Sequence, residues 1–174
     1  MANRQAMSGI NLKGDFRKSR LGRDIHPHKD QFISVVNYSP PVIELFNKDW
    51  ELVNTFDPAK NPLIAKRVAY KQPSGLSVSG SGNPKLIATG EVIIKCSRLY
   101  NDKLYLLTST MDEPEETITN TIFTYLFEGN TWVQKEQINL PQEGDYSTFA
   151  LINDQKLVAF EWVSSTIQLL ELEY

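Results

Sequence analysis

The chain has little that suits covalent or metal chemistry. Of 174 residues, one is cysteine (Cys96) and two are histidine (His26 and His28). A lone cysteine forbids an internal disulfide and cannot by itself form a cysteine-based zinc site. No window approaches the roughly 18 consecutive apolar residues of a membrane-spanning helix, so no membrane span is expected. The start, Met1-Ala2-Asn3-Arg4-Gln5, runs into polar sequence without an apolar h-region, so no secretory signal is expected in the chain. Beyond residue 24 there is also no capped, helix-period stretch of ten or more residues. An apolar content of 41% is nevertheless enough for a buried core, and the length suits one domain.

Charge is nearly balanced, with 18 Lys and Arg against 21 Asp and Glu, but it is unevenly placed. Residues 1–24 hold Arg4, Lys13, Arg17, Lys18, Arg20 and Arg23 against Asp15 and Asp24, a net +4, which leaves −7 for the other 150 residues. A basic arm is one footprint of nucleic-acid binding. Here its only cluster is Arg17-Lys18-Ser19-Arg20, and the acidic body would repel phosphate over a screening length of about 8–10 Å. Residues 1–24 are therefore expected to be a solvated basic N-terminal segment, with Ser8–Leu12 as a candidate edge strand. No nucleic-acid partner is expected.

The dominant hydrophobic period is two. Residues 91–100, 103–110, 117–127 and 131–140 are rich in Thr, Val, Ile, Tyr, Phe and Trp, residue types that suit a pleated, half-buried surface. Asn101-Asp102 and Glu128-Gly129-Asn130 between them carry hairpin-turn chemistry. The pattern predicts a four-stranded antiparallel meander and an all-β fold. It then recurs. Tyr146–Ile152 leads through Asn153-Asp154 to Lys156–Trp162 and on to Thr166–Tyr174. Asn101-Asp102 and Asn153-Asp154 lie 52 positions apart, each soon followed by Lys-Leu opening an apolar strand. An earlier copy reads as a His26–Asp30 turn, then strands at 31–36, 41–46 and 50–56, with Trp50 matching Trp132.

Units of four short antiparallel strands at about 40–50 residue spacing predict β-propeller blades, here 25–57, 88–141 and 145–174. An ordinary β-sandwich is the alternative. Ile64–Tyr70 reads as a further strand, and residues 71–87 as a Gly/Ser/Pro-rich loop. Closed propellers have about four to eight blades. Three blades correspond to half of a six-bladed ring, so the expected partner is a second copy or a missing N-terminal half, joined through open blade edges.

The stretch His26–Phe56 resembles the TolB-like six-bladed β-propeller family in its His-Pro turn, Phe-Ile-Ser-Val-Val strand and Ile-Glu-Leu-Phe-Asn-Lys-Asp-Trp hairpin. Leu99-Tyr100-Asn101-Asp102-Lys103-Leu104-Tyr105-Leu106-Leu107 is similar to the second and third strands of such blades. The resemblance covers most of residues 25–174, about half the family's usual length. It implies a propeller architecture and, because many members are bacterial cell-envelope components, an envelope or periplasmic location. It does not assign an activity, since these motifs are structural.

Candidate chemistry is sparse. His26 and His28, an i, i+2 pair beside Asp24 and Asp30, are geometrically able to share a metal but read as a turn. Asp112, Glu113, Glu115 and Glu116 form an acidic hairpin tip without calcium-loop spacing. Ser74-Gly75 and Ser79–Gly82 are not nucleophile elbows, and Gly80–Lys85 lacks the ending of a phosphate loop. Cys96 reads as core, and Tyr70, Tyr100, Tyr105, Tyr125 and the three tryptophans as inter-blade packing. Glu91, Asp145 and Glu161 are candidate carboxylates for a glycosidase-like pair. The expectation is a non-catalytic binding or scaffolding module, with no catalytic, cofactor or metal residues assigned. A fragment of a carbohydrate-active or lactonase-like propeller enzyme is the alternative.

Overall fold

The computed structural model describes residues 22–70, 91–111, 117–141 and 144–172. The Ser8–Leu12 strand, the 71–87 loop and the acidic tip at 112–116 lie outside the described residues. The rest is three antiparallel sheets, two of four strands and one of three, each ordered as it runs in sequence. The first comprises β1 (Arg23–His28), β2 (Gln31–Val36), β3 (Val42–Asn47) and β4 (Leu52–Phe56). The second comprises β5 (Ile94–Tyr100), β6 (Lys103–Met111), β7 (Thr117–Glu128) and β8 (Thr131–Asn139). The third comprises β9 (Tyr146–Asn153), β10 (Lys156–Glu161) and β11 (Thr166–Glu171).

Turn chemistry fixes the hairpins. Asn101 and Asp102 both have positive φ (48° and 60°), as do Gly129 and Asn130 (53° and 75°). Two consecutive left-handed residues are what a two-residue hairpin matched to strand twist requires. The pairing then follows in register, Leu99 opposite Leu104 and Leu126 opposite Val133.

Three local expectations are corrected. Only Lys29 and Asp30 of the His26–Asp30 stretch form a turn: His26, Pro27 and His28 belong to β1, paired with Ile33, Phe32 and Gln31. Proline is tolerated there because β1 is an edge strand, where one side of the backbone needs no ladder bond. Ile64–Tyr70 is not a strand but most of a helix, α1 (Pro62–Ala69), with Tyr70 as its C-cap. The Asn61 side chain accepts hydrogen bonds from the Leu63 and Ile64 amides (2.8 and 3.3 Å), and Pro62 takes the first helical position, where no amide proton is needed. Finally, Trp50 does not open β4. It sits in the preceding turn at φ 61°, its ring stacked on Phe32 at 4.4 Å.

The core lies in two layers on either side of the second sheet. Ile33, Val35, Ile43 and Leu45 of the first sheet and Ile64 of α1 pack with Leu104, Leu106, Phe123 and Tyr125. On the opposite face, Tyr105, Leu107 and Ile122 pack with Tyr146, Phe149, Leu157 and Ala159 of the third sheet. Alternation along β6 thus feeds two cores, which explains its unbroken apolar run Leu104-Tyr105-Leu106-Leu107. The second sheet is the middle of a three-sheet stack.

Candidate functional site

The first strands of the three sheets approach one another, β1 beside β5 and β5 beside β9. Polar side chains cluster along that seam. Asp24 and His26, two apart on β1, share a face and meet Ser97 of β5. The Ser97 amide and hydroxyl both donate to Asp24 Oδ2 at 2.8 Å. With that hydroxyl proton committed, the 2.7 Å contact between His26 Nε2 and Ser97 Oγ requires His26 to donate. Burial lowers the His26 pKa from its ordinary 6.5, Asp24 opposes this and Arg98 adds to it, so the imidazole is neutral at neutral pH.

These are the residue types of a hydrolytic triad in a different order. A nucleophilic serine passes its proton to histidine, which a carboxylate orients. Here serine sits between the other two, gives its proton to the carboxylate, and is fully buried. The arrangement clamps the first sheet to the second.

The seam continues toward β9. Arg98 donates to the Ser97 carbonyl (2.8 Å) and to Thr148 Oγ1 (3.1 Å), and its guanidinium lies 5.9 Å from the Phe149 ring centre. Thr148 Oγ1 in turn donates to Cys96 Sγ at 3.7 Å. Burial pushes the Cys96 thiol upward despite the Phe149 backbone hydrogen bond and Arg98, so it is a core thiol rather than a nucleophile.

At one end of the seam the turns after the first strands join. His28 Nε2 lies 2.9 Å from Asp102 Oδ1, and Lys29 Nζ lies 3.4 Å from Asp102 Oδ2. The His28 hydrogen bond, opposed by burial and aided by Lys29, holds the Asp102 carboxyl below its ordinary range. Asn101 donates to both Asp154 oxygens at 3.0 and 3.2 Å. The repeated Asn-Asp pairs of the sequence are therefore contact points between the second and third sheets.

His26 and His28 share a face of β1 but have separate partners, Ser97 and Asp102, and Asp30 is exposed in the following turn. Among the described residues no three His, Cys, Asp or Glu side chains group as metal ligands, and no helix is long and apolar enough to cross a membrane. The three candidate carboxylates have structural contacts. Glu91 accepts from buried Arg67. Glu161 accepts from the Asp145, Val163 and Ser164 amides and the Ser164 hydroxyl. The Ser164 hydroxyl leads these donors in lowering the Glu161 pKa to about 2. Asp145 contributes its amide to Glu161 and its carbonyl to the Trp162 amide. Ser97 and Arg98 carried no motif in the sequence, and Asp102 only that of a turn. What marks them is position: each lies in or just after a first strand, where neighbouring sheets approach most closely.

Two surface features remain. An open cleft of about 480 Å³ lies between the sheets at their fourth strands, walled by Phe56, Tyr125 and Trp132 and rimmed by Lys60, Asn61 and Gln134. Asn61 donates to Gln134 across it at 2.8 Å, and Phe56 meets Tyr125 edge-on at 5.5 Å. The second feature is the outer face of the third sheet, where Ile152, Ile167 and Leu169 stand exposed beside Trp162 and Val163 of the β10–β11 turn. Compared with the models of known protein families and with curated proteins, the chain matches none.

Proposed function

We propose that the chain is a non-catalytic binding or scaffolding module of three consecutive propeller-like blades, half of a six-bladed ring in extent. It engages a protein partner through the open face of its third sheet. One observation carries this reading. The second sheet is apolar on both faces and covered on both by its neighbours, whereas the third sheet, with the same alternation, ends the stack with one face bare. Contiguous exposed apolar surface of that kind marks interaction sites.

The propeller arrangement is supported by convergence of the first strands and by the row of linked turns at one end. A β-sandwich packs two sheets on one core, while this chain stacks three on two cores. The non-catalytic reading is supported by the Asp24–Ser97–His26 and Arg98–Thr148 contacts of the seam. These join polar side chains to one another rather than to a substrate, while the buried His28 Nδ1 is left without a partner.

Chromogenic esters, phosphate monoesters and glycosides provide the test. The purified chain and its Ser97→Ala and Glu161→Gln variants should turn them over equally, at background rates. Hydrolysis by the wild type that either substitution abolishes would overturn the proposal.

A further inference from the structure

We infer that the outer face of the third sheet is a self-association surface on which a second copy of the chain docks by the same face, giving a two-fold symmetric dimer. This rests on the module reading above and names its partner. The face comprises Ala150 and Ile152 of β9, Val158 and Phe160 of β10, and Ile167 and Leu169 of β11, opposite in alternation to the inward Phe149, Leu157, Ala159 and Leu170.

Three observations favour a second copy. The first is area. Exposed fractions of 54% for Ile152, 66% for Trp162, 78% for Val163, 76% for Ile167 and 61% for Leu169 are large. At roughly 150–200 Å² per large side chain they leave about 600 Å² of this face and the adjoining β10–β11 turn in water. Two copies contribute about 1,200 Å² before Val158 and Phe160 are counted, which reaches the range of about 1,200–2,000 Å² for specific interfaces.

The second observation is charge. Among the described residues, the ionised groups on the face are Lys156 and Glu171 at its rim, paired with each other at 2.8 Å. Like faces therefore meet without an uncompensated charge, which is the electrostatic condition for an isologous contact.

The third observation distinguishes this dimer from a head-to-tail ring. At the other end of the stack, Ser34, Val36 and Phe46 at the centre of the first sheet's outer face are buried, Ile25 and Leu52 toward its edges are 53% and 54% exposed, and Arg23 bridges Ser34 and Glu44 across it. A ring closed by two copies would need the centre of that face bare. A pairing of third sheets does not, and it stops at two copies.

Light scattering on the full chain over a wide concentration range tests the inference. The wild type should reach a limiting mass of twice 19.8 kDa. Leu169→Arg sets like charges against each other across the two-fold axis, so it should dimerise about a hundredfold more weakly. Ile167→Lys serves as a second variant, and circular dichroism should show both folded, because neither side chain is buried in the monomer. A wild type that stays monomeric at the highest concentrations overturns the inference. So does a mass that grows past two copies, or a folded Leu169→Arg chain that dimerises normally. Acrylamide quenching of Trp162 at monomeric dilution, taken as the difference between wild type and Trp162→Phe, separates this failure from failure of the module reading. A quenched Trp162 in a chain that never dimerises leaves the bare face in place and removes only the second copy. A shielded Trp162 removes the bare face as well.

Discussion

The two terminal sheets of the stack begin from similar strands and end in different environments. On the outer face of the first sheet, Ser34 accepts from Arg23 at 2.9 Å, Arg23 pairs with Glu44, and Trp50 lies flat on Phe32. On the outer face of the third, Val158, Phe160, Ile167 and Leu169 make no such polar bridge, and the two from β11 are mostly in water. Both sheets alternate in the same way, so alternation alone does not say whether a second face is covered. What distinguishes them is the residue type on that face. An Arg–Glu pair and a stacked aromatic close the centre of the first face within one sheet, whereas the centre of the third face is apolar, with the Lys156–Glu171 pair only at its rim.

The largest effect should come from the sheet that is covered on both sides. Phe123→Ala in the middle sheet should cost about 3–5 kcal/mol, because the lost transfer energy adds to that of a cavity that cannot collapse. The matched truncation on the bare face, Leu169→Ala, should stay within about 0.5 kcal/mol in the monomer. Urea midpoints of the two variants measure the contrast directly, and equal losses would mean that the third sheet is covered after all.

The contact between α1 and the loop before β5 comes next. Arg67 is buried, and its carboxylate partner Glu91 is partly so. Glu91→Ala leaves the guanidinium without its counter-charge and should cost about 2–4 kcal/mol by chemical denaturation, reduced from the fully buried case by solvent at Glu91. The double variant Arg67→Met/Glu91→Ala should recover part of that loss.

The seam clamp should follow. Ser97→Ala removes both the donor to Asp24 and the acceptor for His26, an expected loss of about 1–3 kcal/mol. It should also alter the pH dependence of folding. The folded His26 pKa lies below 6.5, so the unfolded chain binds the proton more readily. Stability is therefore greatest above about pH 6.5 and falls as pH drops through the folded pKa. Melting curves of wild type and His26→Gln between neutral and mildly acidic pH should diverge in that direction, with the variant the flatter of the two.

The third sheet has its own pH signature at lower values. Glu161 titrates near 2 in the folded chain instead of its ordinary 4.5. Its contribution is complete above about 4.5 and is lost as pH falls toward 2. Glu161→Gln should remove that part of the acid dependence while leaving the His26 part unchanged. This is the smallest of the expected effects, because the carboxylate organises one turn at the end of the stack.

The all-β fold, ten of the eleven described strands with their turns, and the recurrence of the Asn-Asp turn were legible in the sequence alone. These are local properties: period-two alternation, β-branched and aromatic composition, and residues that accept positive φ. The sequence also held the start of α1 in Asn61-Pro62, a cap and first-turn pair that strand-like residues further on obscured. Pro27 misled in the other direction, because proline reads as a turn unless it is known that β1 lies at an edge. Which side chains meet across sheets was set by the packing of the sheets. Ser97 lies between Asp24 and His26 although 71 residues separate it from the histidine, and the serine-centred order of the three follows from how two strands of different sheets approach. Whether the second apolar face of a sheet is covered was likewise set by the stacking of sheets, because burial depends on what lies opposite a strand, and nothing within the strand records it.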